Sequence, residues 1–347
     1  MRQLVVVIDN TSVVIRNDNI DSSHCWKKEH DESTGTTPAL RAAKRMLKVF
    51  REAENLDHLE LSIALDDSKL WFVVALCSTL STSLEEIDVR ALKLSSMTLV
   101  HRSTAGEDDY FHYYHDGWKL GGLASLLRQQ SQLRQLQLAG HFACSASEMR
   151  NLQMAKCAEA LAPPLHLALS DCSSCATLIY LDAPLPMIDT VVISSFSFGP
   201  FSWCYELAKM CKRGMSSDQS SFWLKLPNLR CLKLQVQLNW LQQREYLSAH
   251  MLECMADICA SALKYYDGRQ QFCSFLIHWL INGKADIIEQ CLHIFSACMR
   301  QYGCDGTLSV KESEHCVGEE WWAKVMFCSG NVQLEVTAGP GSEIWRS

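Results

Sequence analysis

Apolar residues along this chain fall into two alternating patterns, one with the period of a helix and one with the period of a strand. In Leu56-Asp57-His58-Leu59-Glu60-Leu61 the last three positions alternate as in a short strand with one buried face. The same L-x-x-L-x-L form returns at Leu84 to Val89, Leu133 to Leu138 and Leu229 to Leu234. Ile188 to Ile193 fits with aliphatic substitutes, and Ala162 to Leu167 fits more loosely. Helical periodicity precedes these motifs. Pro38 to Glu54 places Leu40, Ala43, Leu47 and Phe50 on one face, with Thr37 as cap and proline at the first helical position. Leu70 to Leu80, Leu120 to Leu127 and Met149 to Ala158 are the next helical stretches, the last stopped by Pro163-Pro164.

Helix, turn and short strand therefore recur as a unit. Three of the five intervals between motif starts lie in or close to the window of roughly 20–29 residues expected of a leucine-rich repeat. The two longer ones hold insertions. No unit can bury both of its apolar faces alone, so units must stack into a parallel sheet with helices outside. The expected fold is α/β: an irregular leucine-rich-repeat-like solenoid over residues 1–240. It carries a long loop at about 10–37 and an insertion at about 95–117. Residues 241–347 are expected to form a helix-rich continuation or cap, with helices at His250–Leu263, Gln271–Leu280 and Ala285–Met299. Short strands are expected there at Thr307–Val310 and Val332–Val336. Met1 to Val6 reads as a first strand. A doubly wound α/β domain is the competing architecture, since its crossovers also alternate helix and strand; its strands are usually longer apolar runs, and only Leu4 to Ile8 looks like one.

The Leu84, Leu133 and Leu226-Pro227-Asn228-Leu229 segments resemble the degenerate leucine-rich repeats of F-box-type proteins abundant in filamentous fungi. The resemblance spans roughly residues 38–240 and implies a protein-binding solenoid, of the kind that selects substrates for a ubiquitin ligase. Two features depart from it. The place three residues after each L-x-L, which holds Asn or Cys in the standard repeat, holds Ala64, Leu92, His141, Ser170, Phe196 and Gln237. No F-box helix set with its Leu-Pro start is found, so the adaptor-binding role is not carried over.

Composition narrows the function. Hydrophobic residues at 48% and charged residues at 20% supply a substantial core. A net charge of −7 without clustered Lys and Arg argues against nucleic acid as partner. No apolar run approaches the roughly 20 residues of a membrane span, so no membrane partner is expected. The 17 cysteines are scattered through apolar segments, as buried free thiols would be; this points to a reducing, cytoplasmic compartment, with the nucleus left open.

Chemistry-bearing constellations are few. His112, His115 and Asp116 lie in an aromatic-rich stretch, and His-x-x-His can hold a metal only with further ligands on the same face. Tyr110, Tyr113, Tyr114 and Trp118 in that stretch suit a partner-contact loop better. Cys172-Ser173-Ser174-Cys175 has dithiol spacing, and a redox reading requires a strand before it and a helix opening at Cys172. His315-Cys316 with Glu319-Glu320 reads as an acidic segment before the Trp321-Trp322 pair. Phosphate-loop, nucleophile-elbow and H-E-x-x-H patterns are absent. The expectation is therefore a non-enzymatic binder of a protein partner, with no cofactor, metal or small-molecule ligand. Its contact residues would be the x positions of the sheet: His58, Glu60, Glu86, Asp88, Gln135, Gln137, Val192 and Lys233, with Pro164, His166, Thr190 and Cys231 beside them. A basic partner segment would meet Glu60, Glu86 and Asp88, with an apolar anchor near Val192. The competing classes are an α/β enzyme of unrecognised family and a truncated gene product, the latter suggested by a chain that begins directly in a strand.

Overall fold

A computed structural model of the chain describes residues 3–9, 13–17, 58–65, 94–103, 118–119, 127, 130–139, 142–144, 146–170, 172–195, 203–216, 222–238, 245–269, 272–281, 285–312 and 321–339. It divides into two compact units, Met1–Met187 and Ile188–Ser347. The expected boundary near residue 240 lies outside the described residues.

In the first unit the strands are β1 (Gln3–Asp9), β2 (Val13–Asn17), β3 (His58–Leu65), β4 (Ser96–Ser103), β6 (Gln135–Ala139) and β8 (Leu165–Ser170). They lie in the order β8-β6-β4-β3-β1-β2, parallel except for β2, which runs back along β1. Two short strands, β5 (Trp118–Lys119) and β7 (Phe142–Ala143), form a separate parallel pair. Helix α1 (Ala146–Cys157) and helix α2 (Cys172–Ile179) flank β8 in sequence, and α2 packs on β6, β7 and β8.

The second unit contains β9 (Ile188–Ser195), α3 (Trp203–Ser216), a 3₁₀ turn at Phe222–Lys225, β10 (Cys231–Leu238) and α4 (Glu245–Tyr266). β11 (Cys273–Ile281), α5 (Ala285–Gln301), β12 (Gly306–Glu312), β13 (Trp321–Ser329) and β14 (Val332–Gly339) follow. The strand order is β12-β13-β14-β11-β10-β9, with β9, β10, β11 and β14 parallel and β13 antiparallel to both its neighbours. The parallel strands advance in chain order in both units; neither shows the reversal that marks a doubly wound sheet.

The L-x-L leucines are the reason these strands assemble. In the first unit Met97, Leu136 and Leu167 lie in one cross-strand row, and Leu99, Leu138 and Leu169 in the next, each at most 1% exposed. The second unit repeats this with Val191-Leu232-Phe275-Leu334-Phe327 and Ile193-Leu234-Ile277-Val336-Val325, all buried. Aromatic rings fill the space beneath. Trp223 meets Tyr266 and Phe275 at 6.0 and 6.3 Å between centroids, and Trp279, Phe295 and Phe327 form a second chain of edge contacts. At Gly306 a Cβ would come within 2.4 Å of the Phe327 ring, so glycine admits that ring under β12.

Several expectations are corrected. The 95–117 insertion contains β4, whose Leu94-Ser95-Ser96-Met97-Thr98-Leu99 is the L-x-x-L-x-L unit with methionine for the second leucine. Leu84–Val89, expected as that strand, lies outside the described residues, as do the helices expected at 38–54 and 70–80. The 10–37 loop contains β2, where the β-branched run Val13-Val14-Ile15 favours extended backbone. In β8 the register sets Leu167 and Leu169, not Leu165 and Leu167, opposite Leu136 and Leu138. The shift is two residues, so the same faces are kept. Gln271–Leu280, expected as a helix, is strand β11: nine residues rich in Ile, Phe and Trp, too short for a stable helix and paired on both sides. The C-terminal portion is thus less helical than expected, since β13 also begins at the Trp321-Trp322 pair. The helices at α1, α4 and α5 agree with the periodicity read from sequence.

The alternation makes a direct prediction. Leu138→Ala should lower unfolding free energy by about 2–5 kcal/mol, while Gln137→Ala should change it by less than about 0.5 kcal/mol. Denaturant melts of the two variants check this, and equal effects would contradict one-sided burial.

Candidate interaction face

The positions between the buried rows differ in kind. Among the described strands they are part-buried at Ser96, Thr98, Gln135, Gln137, His166 and Ala168 in the first unit. The same holds at Thr190, Val192, Ser194, Cys231, Lys233, Gln235, Ser274, Leu276, Gln333, Glu335, Thr337, Lys324 and Met326 in the second. The exceptions are Ile188 and Ala139 at strand ends and His278, which is 7% exposed. Where burial is described, one parity of each strand is buried and the other is partly exposed.

Most of the expected contact residues fall on this open parity. His58, Gln135 and His166 share one cross-strand row, and Glu60 and Gln137 share the next with Thr98 between them. Thr190 pairs with Cys231 and Val192 with Lys233 in the second unit. Pro164 is exposed just before β8, and the register correction puts His166 in the row where Pro164 was expected and Ala168 in the row where His166 was expected. Glu86 and Asp88 lie outside the described residues, as do Tyr110, Tyr113 and Tyr114 and the His112, His115 and His315 groups. Trp118 is in β5, paired with Phe142 away from the large sheet rows.

Sequence reasoning missed the far end of the second unit's face, because β11 and β13 were not recognised as strands. There the row Val192-Lys233-Leu276-Glu335-Met326 crosses five strands in register. Lys324 on β13 reaches Glu335 on β14 at 2.7 Å, both partly exposed. In the next row His278 Nδ1 lies 2.9 Å from Thr337 Oγ1. Burial pushes the His278 pKa down, and the nearby Glu335 carboxylate opposes that only in part.

What keeps the face in shape is a set of side chains bridging the turns that lead into the strands. Gln130 Oε1 accepts from the Leu94 N–H at 2.9 Å, tying β6's leading turn to β4's. Buried Lys156 on α1 donates to the carbonyls of Ser131, Leu133 and Pro163, so its charge is met by three oxygens. In the second unit the Tyr266 hydroxyl donates to Leu226 O, and Arg269 donates to Pro227 O at 2.7 Å while stacking on Tyr265. These bridges come from different residue types at irregular offsets, at the ends where the chain enters the strands.

The dithiol context is partly met: β8 precedes Cys172 and α2 opens there. Cys175 is fully buried, which withholds that thiol from solvent. No group of three or more His, Cys, Asp or Glu among the described residues is placed to hold a metal ion. Nor is any described helix long and apolar enough to cross a membrane. A cleft of about 520 Å³ opens at the ends of α3, α4 and α5, bordered by Lys212, Met215, Lys264, Asp267, Tyr302 and Cys304. None of its lining residues belongs to the open rows. No family model, curated protein or solved structure matches this chain.

Buried thiols are held protonated. Burial raises Cys211 and Cys291 to about 12, and Cys254 to about 11 with help from Asp257 and Glu253. Alkylation of the native chain near pH 8 should therefore label exposed Cys157 and Cys328 long before these three. A raised folded-state pKa stabilises fully below the unfolded value near 9 and loses that contribution as pH climbs toward 12. Unfolding free energy should accordingly fall across that window. Rapid labelling of Cys211 in the folded chain would contradict the assignment.

Proposed function

We propose that this chain is a protein-interaction module of leucine-rich-repeat-like solenoid type, acting in the cytoplasm and performing no chemistry of its own. The observation that carries the reading is the one-sided burial of the parallel strands, which leaves a broad face of mixed polar and aliphatic side chains accessible. Enzymes on doubly wound sheets cover both faces and gather polar groups where strand order reverses. The sequential strand order here supports a surface over a pocket.

Within that reading, the acidic positions Glu60, Glu86 and Asp88 meet a basic part of the partner. Gln135, Gln137 and Val192 supply neutral contacts farther along, and Tyr110, Tyr113, Tyr114 and Trp118 add aromatic anchors. The resemblance to F-box-type repeats adds a substrate-receptor role in a ubiquitin ligase, which requires an adaptor-binding segment.

Affinity capture of the tagged chain from native extract, with mass spectrometry of what co-elutes, tests this. A partner should be recovered, and replacing Glu60, Glu86 and Asp88 together by Lys should reduce its recovery by about tenfold or more, a loss near 1.4 kcal/mol, without changing the melting temperature. Unchanged recovery would overturn the acidic-face assignment. Co-elution of the F-box adaptor with a cullin carries the ligase-receptor role, whereas recovery of no partner favours an α/β enzyme.

A further inference from the structure

We draw no further inference here: the strongest candidate, the exposed apolar patch at the end of α1 and in the turn after it (Met154, Cys157, Ala158, Leu161 and Pro164), carries nothing because nothing in the structure shows what covers it.

Discussion

Period-two burial is the constraint from which the rest of this structure follows. Each strand whose burial is described gives alternate residues to a buried core and the others to a partly exposed face, and a one-residue slip would invert every assignment. The rows Met97-Leu136-Leu167 and Leu232-Phe275-Leu334 show that the same parity is chosen at every strand where burial is described. Because the buried parity is almost wholly apolar, the register is pinned by transfer free energy of the order of 1.5–3 kcal/mol per side chain. The other parity is partly exposed, and some of its polar members pair along the sheet, as Lys324 does with Glu335 and His278 with Thr337.

A sheet specified only by its leucines could still splay at its ends. The turns before the strands are closed by groups from the helices: the Lys156 ammonium on three carbonyls, the Tyr266 hydroxyl on Leu226 O, and the Arg269 guanidinium on Pro227 O. Each gives backbone oxygens a side-chain donor, and Leu226 O also accepts from the Leu229 N–H at 3.2 Å. The two segments Leu185-Pro186-Met187-Ile188 and Leu226-Pro227-Asn228-Leu229 lead into β9 and β10 with the same L-P-x-aliphatic pattern, and Leu185, Ile188, Leu226 and Leu229 are all buried.

Much of this was legible in the residues. The motifs at Leu133, Ile188 and Leu229 specified β6, β9 and β10 with the right parity, because period two is a strong signal when every second residue is Leu, Ile or Val. β4 escaped because Met97 stands where leucine was sought, and β11 because Phe275, Leu276, Ile277, Trp279 and Leu280 are apolar on both faces, which erases the alternation. Helix α3 escaped for a different reason: its buried stripe is Cys204, Leu207, Ala208 and Cys211, at helical spacing but made largely of small residues and thiols. Of the candidate face, His58, Glu60, Gln135, Gln137, Thr190, Val192, Cys231 and Lys233 could be read from sequence, while Ser96, Thr98 and Ala168 could not. Leu276, Glu335, Met326 and Lys324 could not, since they depend on pairing β11 with β14 across an intervening helix and two strands, and on recognising β13 as the hairpin partner of β14.

The account stands on the claim that one face of each parallel sheet meets solvent. Hydroxyl-radical footprinting of the native chain, read by mass spectrometry at single residues, tests it most directly in the second unit. Leu276 and Met326 should be modified at rates well above those of their chain neighbours Phe275, Ile277, Val325 and Phe327, which lie on the covered parity. Equal protection at both parities would mean that a second layer covers the sheet, and the interaction-face account would then be wrong.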